Sequence, residues 1–158
     1  MDDLGHITPE GRPRMVDVGE KPLSNRRAVA QAILQIPPEI ALGLTANPKG
    51  DPLRIAELAG IMAAKRTPDL IPLAHPLPLA AVEVQAEYLP EQNQVVFQSM
   101  VKTQANTGVE MEALTACAIA ALTLYDMLKA RGQGMVLSEV RLLAKSGGKS
   151  DYQVQEIK

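Results

Sequence analysis

Hydrophobic and polar positions change period several times along this chain, and each period predicts an element. Val82, Val84, Ala86 and Tyr88 alternate with Glu83, Gln85 and Glu87. Period two predicts a strand with one face in water. Residues 90–93, Pro-Glu-Gln-Asn, read as a turn, and 95–102 as the returning strand, so the pair is a hairpin. Residues 113–124 carry no charge and are rich in Ala and Leu, which predicts the interior of a long helix over 107–130. Thr107 and Glu110 have the spacing of a capping box at its start. Gly132 and Gly134 end it, and 135–143 is a final strand.

Upstream of the hairpin the pattern looks helical. Ser24 opens NRRAVAQAILQI, a predicted helix stopped by Pro37 and Pro38. A short helical piece over 39–44 leads into a turn at 47–51. Asp51 and Pro52 form an N-cap and first-turn pair for a helix over 52–66, with Ile55, Leu58, Ala59 and Met62 on one face. That helix must end before Pro68. Residues 70–79, LIPLAHPLPL, hold three prolines and are read as irregular. Residues 15–18 read as a short strand, and 1–13 and 151–158 as flexible ends of one domain over 1–158. The order of helices, hairpin, long helix and strand predicts an α+β fold of ferredoxin-like type. In it an antiparallel sheet carries helices packed on one face.

Composition narrows the function. Aromatics are 3% of 158 residues, with no Trp, so base stacking on aromatic platforms is disfavoured. A formal net charge of -2 argues against nucleic acid as a partner. The single cysteine, Cys117, reads as a small core residue, and a lone thiol excludes an intrachain disulfide and fits a reducing, cytoplasmic setting. The first residues resemble neither a signal nor a transit peptide, and no apolar run reaches membrane-spanning length, so no membrane partner is expected.

Candidate chemistry gathers at the ends of the long helix. Glu110 and Glu112 suit the positive end of the helix dipole. Asp126 stands near the negative end, where a carboxylate is disfavoured; Lys129, three residues on, is its nearest partner. Glu112 and Asp126 are fourteen residues apart, which puts them within about 40° of one helix face but about 21 Å apart along it. No small substrate easily reaches both, so a site using both ends draws them from two antiparallel copies of the helix. His75 stands in the Pro-stiffened loop with two readings open: a site element, or a buried ring bonded to backbone. Gly147-Gly-Lys-Ser150 resembles the end of a phosphate loop, but Leu143 occupies the position where the full loop needs Gly. Lys49, Lys145 and Lys149 flank Gly-rich turns, and Lys65 and Arg66 end a helix; each is a solvated side chain or part of an anion site. Two His and one Cys give no zinc spacing, so no metal site is expected. Carboxylates with His75 admit Mg²⁺ without requiring it.

Three stretches, GDPLRIAELAGIMAAKRTPDLIPLAHPLPL, TGVEMEALTACAIAALTLYDMLKA and VRLLAKSGGKS, occur in this order. Together they closely resemble the cyclic pyranopterin monophosphate synthase (MoaC) family of molybdenum cofactor biosynthesis, over about 5–149. The resemblance implies an enzyme acting on a small molecule, 3',8-cyclo-7,8-dihydro-GTP. The family rearranges it to the tricyclic pyranopterin, closes a cyclic phosphate and releases pyrophosphate, with no cofactor required. It implies that Asp126 and Lys129 are catalytic, and that Leu73, Ala74, His75, Met111 and Glu112 bind substrate. Glu110, Lys49 and Lys145 match further site positions. It also implies a homohexamer, a trimer of dimers, with sites at the dimer interface. The family commonly has Cys where this chain has Ala74, read here as a packing position. The rival readings are a non-catalytic nucleotide or phosphate sensor and a structural module with the Ala-rich helix as its seam.

Overall fold

The computed structural model describes residues 6–154. Residues 24–36, predicted helical, instead form the central strand of the molecule, β1 (Ser24–Gln35). It pairs antiparallel with two strands at once, β3 (Gln94–Ala105) and β4 (Val136–Ser146). Ala28, Ala30, Ala32 and Leu34 are fully buried at every second position, while Gln31, Ile33 and Gln35 alternate with them on the other face. Ala and Gln favour a helix in isolation, but two flanking ladders and a buried face override a propensity of tenths of a kcal/mol per residue.

The predicted hairpin is present as β2 (Leu79–Leu89) and β3, joined by a turn in which Asn93 adopts a left-handed φ of 50°. With β5 (Tyr152–Gln153) added at the far edge, the sheet order is β2-β3-β1-β4-β5, antiparallel throughout. The first four strands have the crossovers of a split βαβ unit, so the fold is α+β and ferredoxin-like. Two further expectations fail. Residues 15–18 lie in no strand; the Val16 and Val18 carbonyls are bonded instead by the side chains of His75 and Asn106. The tail from 151 is not wholly loose, because Tyr152 and Gln153 pair with Lys145 and Ala144. At the other end Ile7 bridges Pro13 within the segment expected to be flexible. Residues 1–5 and 155–158, included in that expectation, lie outside the described residues.

Helices cover one face of the sheet. Short α1 (Pro38–Ala41) and a 3-10 turn (Leu42–Leu44) precede α2 (Pro52–Ala64), with short α3 (Thr67–Leu70) after it and α4 (Glu110–Leu128) following the hairpin. Asp51 caps α2 as expected, its Oδ1 accepting from the Leu53 and Arg54 amides at 3.0 and 3.3 Å. The capping box at Thr107 does not form. The N-cap of α4 is Val109, without a side-chain cap, and Glu110 is the first helical residue rather than the third turn position.

Small residues set how closely these elements approach. Ala113, Ala116, Cys117, Ala120 and Ala121 of α4 are fully buried against β1 and α2. A Cβ built on Gly60 of α2 would lie 2.7 Å from the Ala116 carbonyl oxygen, so the two helices meet almost backbone to backbone. Phe97, the one Phe, is fully buried beneath α4; its burial stabilises the fold by about 1.5–3 kcal/mol. The contact turns α2 the opposite way from its apolar pattern. Ala56, Gly60, Ala63 and Ala64 face inward, and Ile55, Leu58 and Met62 share a face that points to solvent, Leu58 being 60% exposed. On the inner side, Glu57 accepts the Ala86 amide of edge strand β2 at 3.0 Å and is held by Arg54 at 2.7 Å.

Candidate active site

Both ends of α4 carry the charged groups that its apolar middle lacks, and each end is furnished by different elements. At the start, the β1–β4 register places Ala28 opposite Lys145 and Arg27 opposite Ser146. Lys145 therefore reaches the helix start, with its Nζ 3.2 Å from Glu110 Oε1. Arg26, Arg27, Gly108, Lys149 and Ser150 join this pair around a cleft of about 210 Å³. The Gly-rich loop closes one side of it. Ser24 Oγ donates to the Gly147 carbonyl at 2.8 Å, and the Gly147 amide donates to Asp151 Oδ1 at 3.1 Å. Gly147 has φ 85°, and a Cβ there would sit 1.8 Å from the Asn25 carbonyl oxygen, so only glycine fits.

Glu112 is 3% exposed, two residues into the same helix end. Burial, with the Glu110 charge adding to it, pushes its carboxyl up to about 6 against a smaller opposing pull from its own backbone amide. A carboxyl tuned there exchanges its proton near neutral pH. Met111, between the two acids, is 40% exposed.

The His75 loop stands at this same end. Thr103 Oγ1, near the end of β3, donates to the Pro78 carbonyl at 2.5 Å. His75 Nε2 meets the Val16 carbonyl at 2.7 Å and the ring is half-buried, so one ring nitrogen is bonded to backbone. Asn106 Nδ2, just ahead of α4, donates to the Val18 carbonyl at 2.8 Å. The segment 16–18 thus ties the loop bearing the half-buried Leu73 and Ala74 to the approach of the helix.

At the other end Lys129 Nζ lies 2.5 Å from Asp126 Oδ1, and both side chains are exposed. The Lys129 hydrogen bond, then its charge, hold the Asp126 carboxyl below the usual range, and the Lys49 charge adds to this. Asp126 raises Lys129 in return. The pair is the partner that the dipole argument required. The loop over 42–51 brings Lys49 here. Gly43 packs so tightly on Leu128 and Arg131 that a Cβ would approach both within 2.7 Å. Asn47 Nδ2 donates to the Met127 carbonyl at 3.4 Å and Arg131 donates to the Ala46 carbonyl.

Of the residues read from the sequence, Glu110, Met111, Glu112 and Lys145 share the first end of α4 with the Leu73–His75 loop. Lys49, Asp126 and Lys129 share the other. Within one chain the two groups stay apart: fourteen residues of continuous helix separate Glu112 from Asp126, about 21 Å of rise. Lys65 and Arg66 are exposed just beyond α2. Arg26, Arg27 and Asn106 are additions that the sequence reading missed. The two arginines were hidden in the misread helix, and alternation through Ala28, Ala30, Ala32 and Leu34 was the signal that could have placed them. Among the described residues no group of three or more His, Cys, Asp or Glu could hold a metal ion.

A model of the MoaC family matches residues 15–148. The chain is 51% identical over 152 residues to a cyclic pyranopterin monophosphate synthase of Roseiflexus, covering 95% of this chain and 96% of that protein. It is 49% identical over 154 residues to one of Thermomicrobium roseum, covering 95% and 92%. It is also 47% identical over 155 residues to the Molybdenum cofactor biosynthesis protein 1 of Drosophila melanogaster, covering 97% of this chain but 27% of that longer protein.

Proposed function

The chain belongs to the MoaC family, and from that premise we infer that it is a cyclic pyranopterin monophosphate synthase of molybdenum cofactor biosynthesis. Its substrate is the cyclised GTP derivative 3',8-cyclo-7,8-dihydro-GTP, and pyrophosphate is released as the cyclic phosphate closes. The observation that carries the residue assignment is the split of charge between the ends of α4. One end holds a buried carboxyl that burial pushes up to about 6, and the other an exposed Asp126–Lys129 ion pair.

The chemistry draws on both ends. Rearranging the purine-derived ring requires protons to be moved, and Glu112 and His75 offer groups that hold or give them. Asp126, kept ionised by Lys129, accepts a proton, and Lys129 returns one or neutralises developing charge. Closing the cyclic phosphate builds negative charge on the departing pyrophosphate, which Lys49, Lys129 and Lys145 offset. Glu110 orients Lys145 through their ion pair. Leu73, Ala74 and Met111 give the ring system apolar walls. No resident cofactor enters this scheme; Mg²⁺ carried on the triphosphate can join the lysines.

One chain holds both halves of this machinery but keeps them about 21 Å apart. The active unit is therefore a pair of chains, each supplying one end of its α4 to a shared site, and the pairs assemble as a trimer of dimers in the cytoplasm. The solvent-facing Ile55, Leu58 and Met62 supply an apolar surface for such contacts.

The test is complementation. Asp126→Asn and Glu112→Gln each fold and each fail to release pyrophosphate from the cyclised nucleotide. Mixed after dissociation and reassembly, they recover about a quarter of wild-type turnover, because half of random pairs are mixed and each has one intact site of two. No recovery in demonstrably mixed oligomers refutes the shared site. Binding of the substrate by the wild type without pyrophosphate release refutes the enzyme and leaves a nucleotide sensor.

A further inference from the structure

We propose that Asn106 is a positioning residue for His75, acting through the main chain of residues 16–18 so that the ring presents Nδ1 as its lone-pair atom. The proposal rests on the reading that His75 belongs to the substrate site. A carbonyl oxygen carries no proton, so in the 2.7 Å contact between His75 Nε2 and the Val16 carbonyl the ring must be the donor. In the neutral imidazole that leaves Nδ1 free to accept a proton or a hydrogen bond from substrate. The tautomer is therefore set by where Val16 holds its oxygen.

Val16 lies in neither a helix nor a ladder, so the sheet does not fix it. Two local contacts shape the segment: the Lys21 amide donates to the Val18 carbonyl at 3.1 Å, and Asp17 Oδ1 accepts the Gly19 amide at 2.8 Å. Both move with the segment and cannot locate it on the body of the protein. Asn106 can. It follows the last residue of β3, and its amide donates to the Val18 carbonyl at 2.8 Å. Two residues separate Val18 from Val16, so the anchor and the acceptor share one short stretch of backbone. This is the arrangement in which an outer hydrogen bond fixes the protonation pattern of a histidine one step removed.

The chain has two histidines, and His6 is exposed near the N-terminus. In a His6→Gln background, the imidazole ¹⁵N resonances report His75 alone. The neutral ring is expected as the Nε2–H tautomer. Asn106→Ala, and the nearly isosteric Asn106→Asp, which cannot donate, shift it toward Nδ1–H. Both should lower kcat about tenfold with KM nearly unchanged, the scale of losing an outer positioning bond. An Nδ1–H tautomer in the parent overturns the proposal, as does an unchanged tautomer in both Asn106 variants whatever their kcat. A shifted tautomer with full kcat upholds the positioning and instead removes His75 from the chemistry proposed above.

Discussion

Replacing Glu112 by Gln should make this protein more stable at neutral pH while it loses activity. The carboxyl is 3% exposed, and burial raises it from an ordinary value of 4.5 to about 6. Raised in this way, the group is at its most favourable below 4.5, where folded and unfolded chains both carry the proton. Stability is lost as pH rises through the folded value, because the folded chain must then ionise a buried acid. The full deficit is about 1.5 units at 1.36 kcal/mol each, or about 2 kcal/mol at pH of about 7.5. It shrinks to about 1.3 kcal/mol near pH 5.5 and about 0.4 near pH 4.5. Glutamine has nearly the same shape and no charge to desolvate, so the variant escapes the deficit. Urea unfolding of both proteins at equal concentration across this range measures it directly. A stability difference that grows from acid to neutral pH and levels off above pH of about 7 is the expected result. Equal stability at neutral pH, or a difference that does not change with pH, refutes the reasoning, since the carboxylate would then not be desolvated in the folded protein.

Further tests address packing and the site. Gly60→Ala puts a Cβ 2.7 Å from the Ala116 carbonyl oxygen and should force α2 off α4, costing about 1–3 kcal/mol in chemical denaturation; a neutral result would show that the helices separate freely. Ala74→Cys should leave turnover within about twofold, because the position is half-buried beside the loop histidine and Cys packs like a small apolar residue. A large gain in rate would give that thiol a chemical role.

The fold was legible where the pattern had one explanation. Alternation over 82–88, the turn at Asn93 and the uncharged middle of α4 all led to the right elements, and these led to the right fold class although the central strand β1 reads as a helix. It was illegible where residue size replaced hydrophobicity as the signal. β1 hides behind Ala because Ala28, Ala30 and Ala32 fill most of its buried face, which packs on an α4 that is itself lined with Ala. The same close approach inverts α2, since a face of Gly and Ala makes the tightest contact and the bulky apolar residues are turned outward. The separation of the charged groups at the two ends of α4 followed from helix geometry alone. The tertiary companions of these groups did not: Arg26 and Arg27 depend on the pairing of β1 with β4, and the Val16 and Val18 contacts depend on a segment with no regular structure.

The central place of β1 bears on how this polypeptide leaves the ribosome. Its neighbours in the sheet are not its neighbours in time: Gln35 waits for Gln94 on one side, and Arg27 waits for Ser146 on the other. Until the last long strand has emerged, the nascent chain carries an Ala-rich segment with an unclaimed edge, exposed to any other strand nearby. Long-range pairing of this kind slows folding, because the closure of both ladders waits on the order in which the strands are made.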